Sequence, residues 1–227
     1  MRRWILIAMA GTAAAVGWGG AATLADQPAP AEVGAYGNIF TPANLKFAPA
    51  DVTATVGQTI VWTNKDKLVP HTATEDHHLW DLAGSYLPTP INPAGFAPGA
   101  TVQRVVEAGT EHYFCRVHPV QMHGVIRVPV SLSLQVVTGK KRAHHKAKVT
   151  RYVVATWAAA APAAGEGFDV RIGKDGTNWS MVRTATTDTT ARFKIRHGTT
   201  LHVEAHLRLL SDAKQATDWS PDATSTG

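Results

Sequence analysis

The chain carries a single cysteine, Cys115, among 227 residues. One thiol rules out an intramolecular disulfide and every zinc site built on two or more thiolates, so a hydrophobic core and hydrogen bonds must hold the fold. Material for a core is present: 44% of the residues are hydrophobic and 17% charged, too apolar for a disordered chain. With 19 Gly and 13 Pro the chain is too turn-rich for a helical bundle, and β structure is expected. The length suits one large domain or two ordinary ones.

Residues 1–25 open with Arg2 and Arg3, run uncharged from Trp4 to Leu24 and end in Thr23-Leu24-Ala25, the outline of an export signal. The uncharged run is about as long as the ~20 residues of a membrane span, so an uncleaved N-terminal anchor is the alternative. Residues 26–37, with Gln27-Pro28-Ala29-Pro30-Ala31, read as a stiff linker.

From Asn38 to Val130 short strands are expected at 45–47, 52–56, 59–63, 101–107, 111–115 and 124–130, each followed by turn residues. Residues 72–100, with Pro88, Pro90, Pro93 and Pro98, read as a loose surface excursion, because proline donates nothing to a ladder. A second β region over 131–227 predicts strands at 131–137, 152–157, 168–172, 191–195 and 200–207. Between its first two strands lies the basic segment 140–148, which has no apolar periodicity.

The chemistry concentrates in Tyr113-Phe114-Cys115-Arg116-Val117-His118-Pro119-Val120-Gln121-Met122-His123-Gly124, a loop between two expected strands. A second imidazole, His71, stands beyond another strand end in Pro70-His71-Thr72. Two histidines, one cysteine and a methionine are the donor set of a blue-copper site: thiolate and imidazoles in a plane, with a weak thioether above it. Pro70 and Pro119 fix backbone torsions beside the two histidines. His77-His78, in an acidic loop with Glu75 and Asp76, read as surface residues, and His202 and His206 as solvated residues on one face of a strand.

Phe47-x-Pro49, the run Val56-Gly57-Gln58-Thr59-Ile60-Val61-Trp62-x-Asn64, Pro70-His71-Thr72, Glu107-Ala108-Gly109-Thr110, Tyr113-x-Cys115, His118-Pro119 and Met122-x-Gly124-x-Ile126 make the segment 38–130 resemble the cupredoxins of the plastocyanin, amicyanin and pseudoazurin group. The resemblance implies one copper ion with His71, Cys115 and His118 as equatorial ligands and Met122 as the axial one. Three residues separate His118 from Met122, a spacing that differs from those relatives and leaves His123 as a rival axial donor. Asn64, Thr72 and Pro119 are expected to support the ligands. Relatives often place Asn directly after the first histidine, and here the Thr72 hydroxyl would take over its bracing of the cysteine loop.

Residues 131–227 resemble a fibronectin type III domain through Tyr152 to Trp157, Phe168 to Arg171, Trp179, Leu201-x-Val203-x-Ala205 and Asp218-Trp219-Ser220-Pro221. Trp157 is the expected core tryptophan. Trp179 and Trp219 are expected to pack in the sandwich, with a carbohydrate platform as the alternative. The fold class expected is all-β: a Greek-key cupredoxin sandwich followed by a second, immunoglobulin-like one.

The functional expectation is an exported one-electron carrier that meets a redox partner protein, with the second domain as a spacer or envelope dock. Its alternative is a copper-delivery protein without redox cycling. No His-x-His pair occurs in the chain, which argues against a second, catalytic copper. The net charge of +5 does not point to nucleic acid: Arg2 and Arg3 sit in the export signal, and Lys140, Lys141, Arg142, Lys146 and Lys148 in the one exposed run, suited to an anionic envelope surface or acidic partner.

Overall fold

The computed structural model describes residues 28–37, 44–83, 95–140 and 147–227. The export signal or anchor of residues 1–25 and most of the basic run therefore lie outside the described residues. Among those described, no helix is long and apolar enough to cross a membrane.

Among the described residues, nine strands build the first sandwich: β1 (Ala31–Tyr36), β2 (Lys46–Ala48), β3 (Asp51–Thr53), β4 (Thr59–Asn64), β5 (Ala73–Glu75), β6 (Asp81–Leu82), β7 (Thr101–Val105), β8 (Gly109–Phe114) and β9 (His123–Val128). One sheet has the order β2-β1-β4-β7, the other β3-β9-β8-β5-β6. In β4 the alternation is complete, with Ile60, Trp62 and Asn64 buried and the residues between them only partly so, as a strand with one core face requires. Between the sheets pack Phe47, Trp62, Tyr113, Ile126 and Val128. Tyr113 lies 4.8 Å from Phe47 and edge-on to Trp62 at 5.7 Å between ring centroids.

Two expectations are corrected here. Residues 31–36, read as part of a linker, form β1, which runs parallel to β4 with Val33 opposite Trp62 and antiparallel to β2. Its Val33 and Ala35 are buried, and tertiary pairing rather than local patterning makes the strand. Residues 72–100, read as a loose excursion, begin with β5, whose three residues are all buried and which lies between β6 and β8. Pro88, Pro90 and Pro93 lie outside the described residues.

The second sandwich contains β10 (Ser131–Thr138), β11 (Val149–Thr156), β12 (Glu166–Gly173), β13 (Trp179–Thr186), β14 (Thr190–Ile195), β15 (Thr200–Leu209) and β16 (Ala223–Thr226). Its sheets have the orders β10-β11-β14 and β13-β12-β15-β16. Neither β13 nor β16 was legible from alternation. Trp157 is fully buried among Val170, Val203, Ala205 and Leu207, and its indole N–H donates to the Asp188 carbonyl at 2.7 Å.

The two sandwiches meet at the start of β8. The Ala108 amide donates to the Trp157 carbonyl at 2.7 Å, and Thr110 and Asp218 exchange backbone hydrogen bonds of 3.0 Å. Beside this junction Arg104 bridges Glu107 and Glu111, and Trp80 donates to Glu111 at 3.0 Å. Burial raises the carboxyl of Glu111, which the guanidinium opposes. From Thr110 the strand carries the chain roughly 17 Å to Cys115.

Gly124 faces Tyr113 across the β8–β9 ladder, and a Cβ at that position would meet Tyr113 Cζ at 2.3 Å. Gly124→Ala is expected to destabilise the protein by about 1–3 kcal/mol through overpacking, read as an earlier midpoint in urea unfolding followed by tryptophan fluorescence.

Candidate metal centre

Past the end of β8 two loops converge. The first leaves β4 at Asn64, whose side-chain amide donates to the carbonyls of Val69 at 2.9 Å and Phe96 at 3.0 Å. A two-way backbone bridge between His71 and Phe96 then sets the histidine. Gly95 permits this closeness, since a Cβ there would lie 2.6 Å from the His71 carbonyl oxygen. The second loop leaves β8 at Cys115 and returns at Met122. It closes on itself through Cys115 N–H to Met122 O at 3.0 Å, His118 N–H to Cys115 O at 3.0 Å and Met122 N–H to His118 O at 3.1 Å.

Their side chains meet in a buried cluster. Cys115 Sγ lies 3.7 Å from His71 Nδ1 and 3.8 Å from His118 Nδ1, and one donor atom from each residue falls within 4.8 Å of the others. Relative exposure is 0% for His71 and Cys115 but 8% for His118, so His118 is the ligand nearest solvent. Thr72 ties the loops together: its amide donates to Cys115 Sγ at 3.3 Å, and its hydroxyl oxygen accepts the Arg116 amide at 2.8 Å. Pro119 is exposed in the turn after His118.

Burial acts in one direction on all three groups. It pulls His71 down to about 4, helped by the neighbouring His118 and opposed by Asp66; it also lowers His118 and raises the Cys115 thiol. Each group is thereby favoured in its uncharged form, and a soft thiol and two imidazoles share one small buried volume. This is the donor chemistry that copper favours, and the three residues fit one type 1 copper ion.

Of the two axial candidates, Met122 is fully buried in the core that holds Cys115, whereas His123 is exposed and lies 6.5 Å from the Phe114 ring. His77 is on the surface beside Glu75, at 3.1 Å, apart from the cluster. In the second sandwich His202 pairs with Asp222 at 2.6 Å. His206 is not a solvated residue: it stacks on Trp219 at 3.9 Å. Arg171 lies over Trp219 at 4.2 Å and over Trp179 at 4.7 Å. Asp66, absent from the expected set, places a buried carboxylate oxygen 3.5 Å from His71 Nε2. Between Lys65 and Lys67 it reads as part of a solvated charge run, and no local signal marks it.

Residues 38–129 match the family model of copper binding proteins, plastocyanin/azurin family. This stretch is similar to that family. Among solved structures, a Cu-containing nitrite reductase (NirK) from Thermus scotoductus SA-01 is similar at 25% identity over 45% of this chain, with a TM-score of 0.32. The chain spans only 23% of that reductase. A purple cupredoxin from Nitrosopumilus maritimus is 24% identical over 43% of this chain and 98% of its own, with a TM-score of 0.32. A Cu(I) amicyanin variant is 18% identical over 44% of this chain and 81% of its own, with a TM-score of 0.30. No curated protein matches the chain.

The depressed His71 value gives the first sandwich a pH signature when metal is absent. A histidine at 6.5 unfolded and about 4 folded means that the unfolded chain binds more protons between those values. Stability is then full above pH 6.5 and lost as pH falls toward 4. Between pH 7 and pH 5 the metal-free protein is expected to lose on the order of 2 kcal/mol from this group, measured by urea unfolding at the two pH values.

Proposed function

We propose that the protein is an exported one-electron carrier whose copper is held by His71, Cys115, His118 and Met122. The convergence of three buried donors within 4.8 Å carries the reading. Copper, when bound, supplies a Cu(II)/Cu(I) couple, and a thiolate with two imidazoles accommodates both oxidation states. The chain's own residues do the rest. Asn64 and Thr72 hold the ligand loops, burial excludes water, and the rim of His118 is the point of exchange with a partner protein.

A carrier is favoured over an enzyme because the chain has no His-x-His pair to hold a catalytic copper. It is favoured over a delivery protein because both ligand loops are closed by backbone hydrogen bonds, an arrangement that suits retention rather than release. Residues 131–227, with seven strands in two sheets and Trp157 at the centre, support the fibronectin type III likeness. We assign this domain the role of spacer or envelope dock, attached at the end away from the copper loops so that His118 stays free. The basic segment 140–148 would meet an anionic surface or an acidic partner. Export rests on the pattern of residues 1–25.

The full-length protein loaded with Cu(II) is expected to show intense visible thiolate-to-Cu(II) absorption and a reversible one-electron couple by cyclic voltammetry. Cys115→Ala should abolish the band, because the thiolate is the chromophore. A colourless protein that binds only Cu(I) would contradict the carrier reading.

A further inference from the structure

The side of His71 that faces away from the cluster is occupied by a charge. Asp66 Oδ2 lies 3.5 Å from His71 Nε2, with both side chains at most 2% exposed, and neither atom has another hydrogen-bond partner among the described residues. At this distance the contact is electrostatic more than a formed hydrogen bond. The carboxylate does not sit there by chance. Its Oδ1 accepts the amides of Lys67 at 2.6 Å and Leu68 at 3.0 Å, and its own amide donates to Asn64 Oδ1 at 2.9 Å. Asn64 is the residue that also pins Val69 and Phe96. The loop that presents His71 thus presents Asp66 in a fixed position behind it.

We infer that Asp66 is a positioning and potential-setting residue: its carboxylate holds the proton of His71 on Nε2, leaves Nδ1 free to donate, and stabilises Cu(II) over Cu(I). This rests on the copper reading above. A carboxylate behind a ligating imidazole fixes its tautomer and raises its basicity. A buried negative charge also favours the more positive oxidation state, because a low-dielectric surrounding screens it weakly. Removing the charge therefore weakens Cu(II) binding more than Cu(I) binding.

Asp66→Asn tests this, since the amide keeps the side-chain volume and an oxygen to accept from Lys67 and Leu68. Asp76→Asn, at an exposed acidic residue, is the control for net charge. Replacing a group that orients a metal ligand changes metal affinity ~10–100-fold, and a tenfold change in the Cu(II)/Cu(I) affinity ratio corresponds to about 59 mV for one electron. The expected result is a reduction potential raised by at least that tenfold equivalent in Asp66→Asn and unchanged in Asp76→Asn. Nitrogen-15 shifts of the His71 ring in metal-free protein should show the Nε2–H tautomer in the parent and a mixture in Asp66→Asn. If Asp66→Asn does not fold, Asp66→Ser, whose hydroxyl can accept the same amides, is measured on the same scale. A blue parent protein whose Asp66 variant keeps the parent potential overturns this inference alone. A parent protein without the thiolate band overturns the copper reading and this inference with it.

Discussion

Two hydrogen bonds made by Thr72 hold the centre together. Its amide reaches Cys115 Sγ and its hydroxyl oxygen receives the Arg116 amide, which joins the loop carrying His71 to the loop carrying Cys115 and His118. These residues are 43 and 44 positions apart in sequence, so the tie forms only when β5 pairs with β8. A thiol, two imidazoles and a carboxylate at the end of a hydrophobic core each carry a desolvation cost. The fold offsets part of that cost by settling Cys115 Sγ and Asp66 Oδ1 on backbone amides.

The sheets explain why the tie forms. Strand β4 delivers Asn64 to the site with Ile60 and Trp62 as its anchors in the core, and β8 delivers Cys115 with Tyr113 as its anchor. Tyr113 in turn needs Gly124 on β9 to leave room for its ring. The second sandwich takes hold at Ala108 and Thr110, where β8 begins. One strand therefore has the domain junction at its first residues and the thiol just past its last.

His71, Cys115 and His118 were legible because a thiol and two imidazoles bracketed by strands and prolines are rare in one order. The core strand β4 was legible from period-two alternation. Strand β1 was not, because its small residues Ala31, Gly34 and Ala35 do not alternate in hydrophobicity and its burial comes from pairing with β4. Thr72 was foreseen as the brace of the cysteine loop, and the structure puts its hydroxyl on the Arg116 amide. Asp66 was not foreseen. Flanked by lysines, it looks like surface charge, and only the folded loop turns it inward toward His71. The packing of Trp219 against Arg171 and His206 likewise depends on strands that meet far apart in sequence.

The protein positions its donor atoms before metal arrives. Crystal structures of the protein without metal and with Cu(II) test this directly. One copper ion bound by His71, Cys115 and His118 is expected, with their side chains superimposable between the two states and the Thr72 bonds intact. Copper bound elsewhere, or donors that reach the metal only after either loop rearranges, would contradict it.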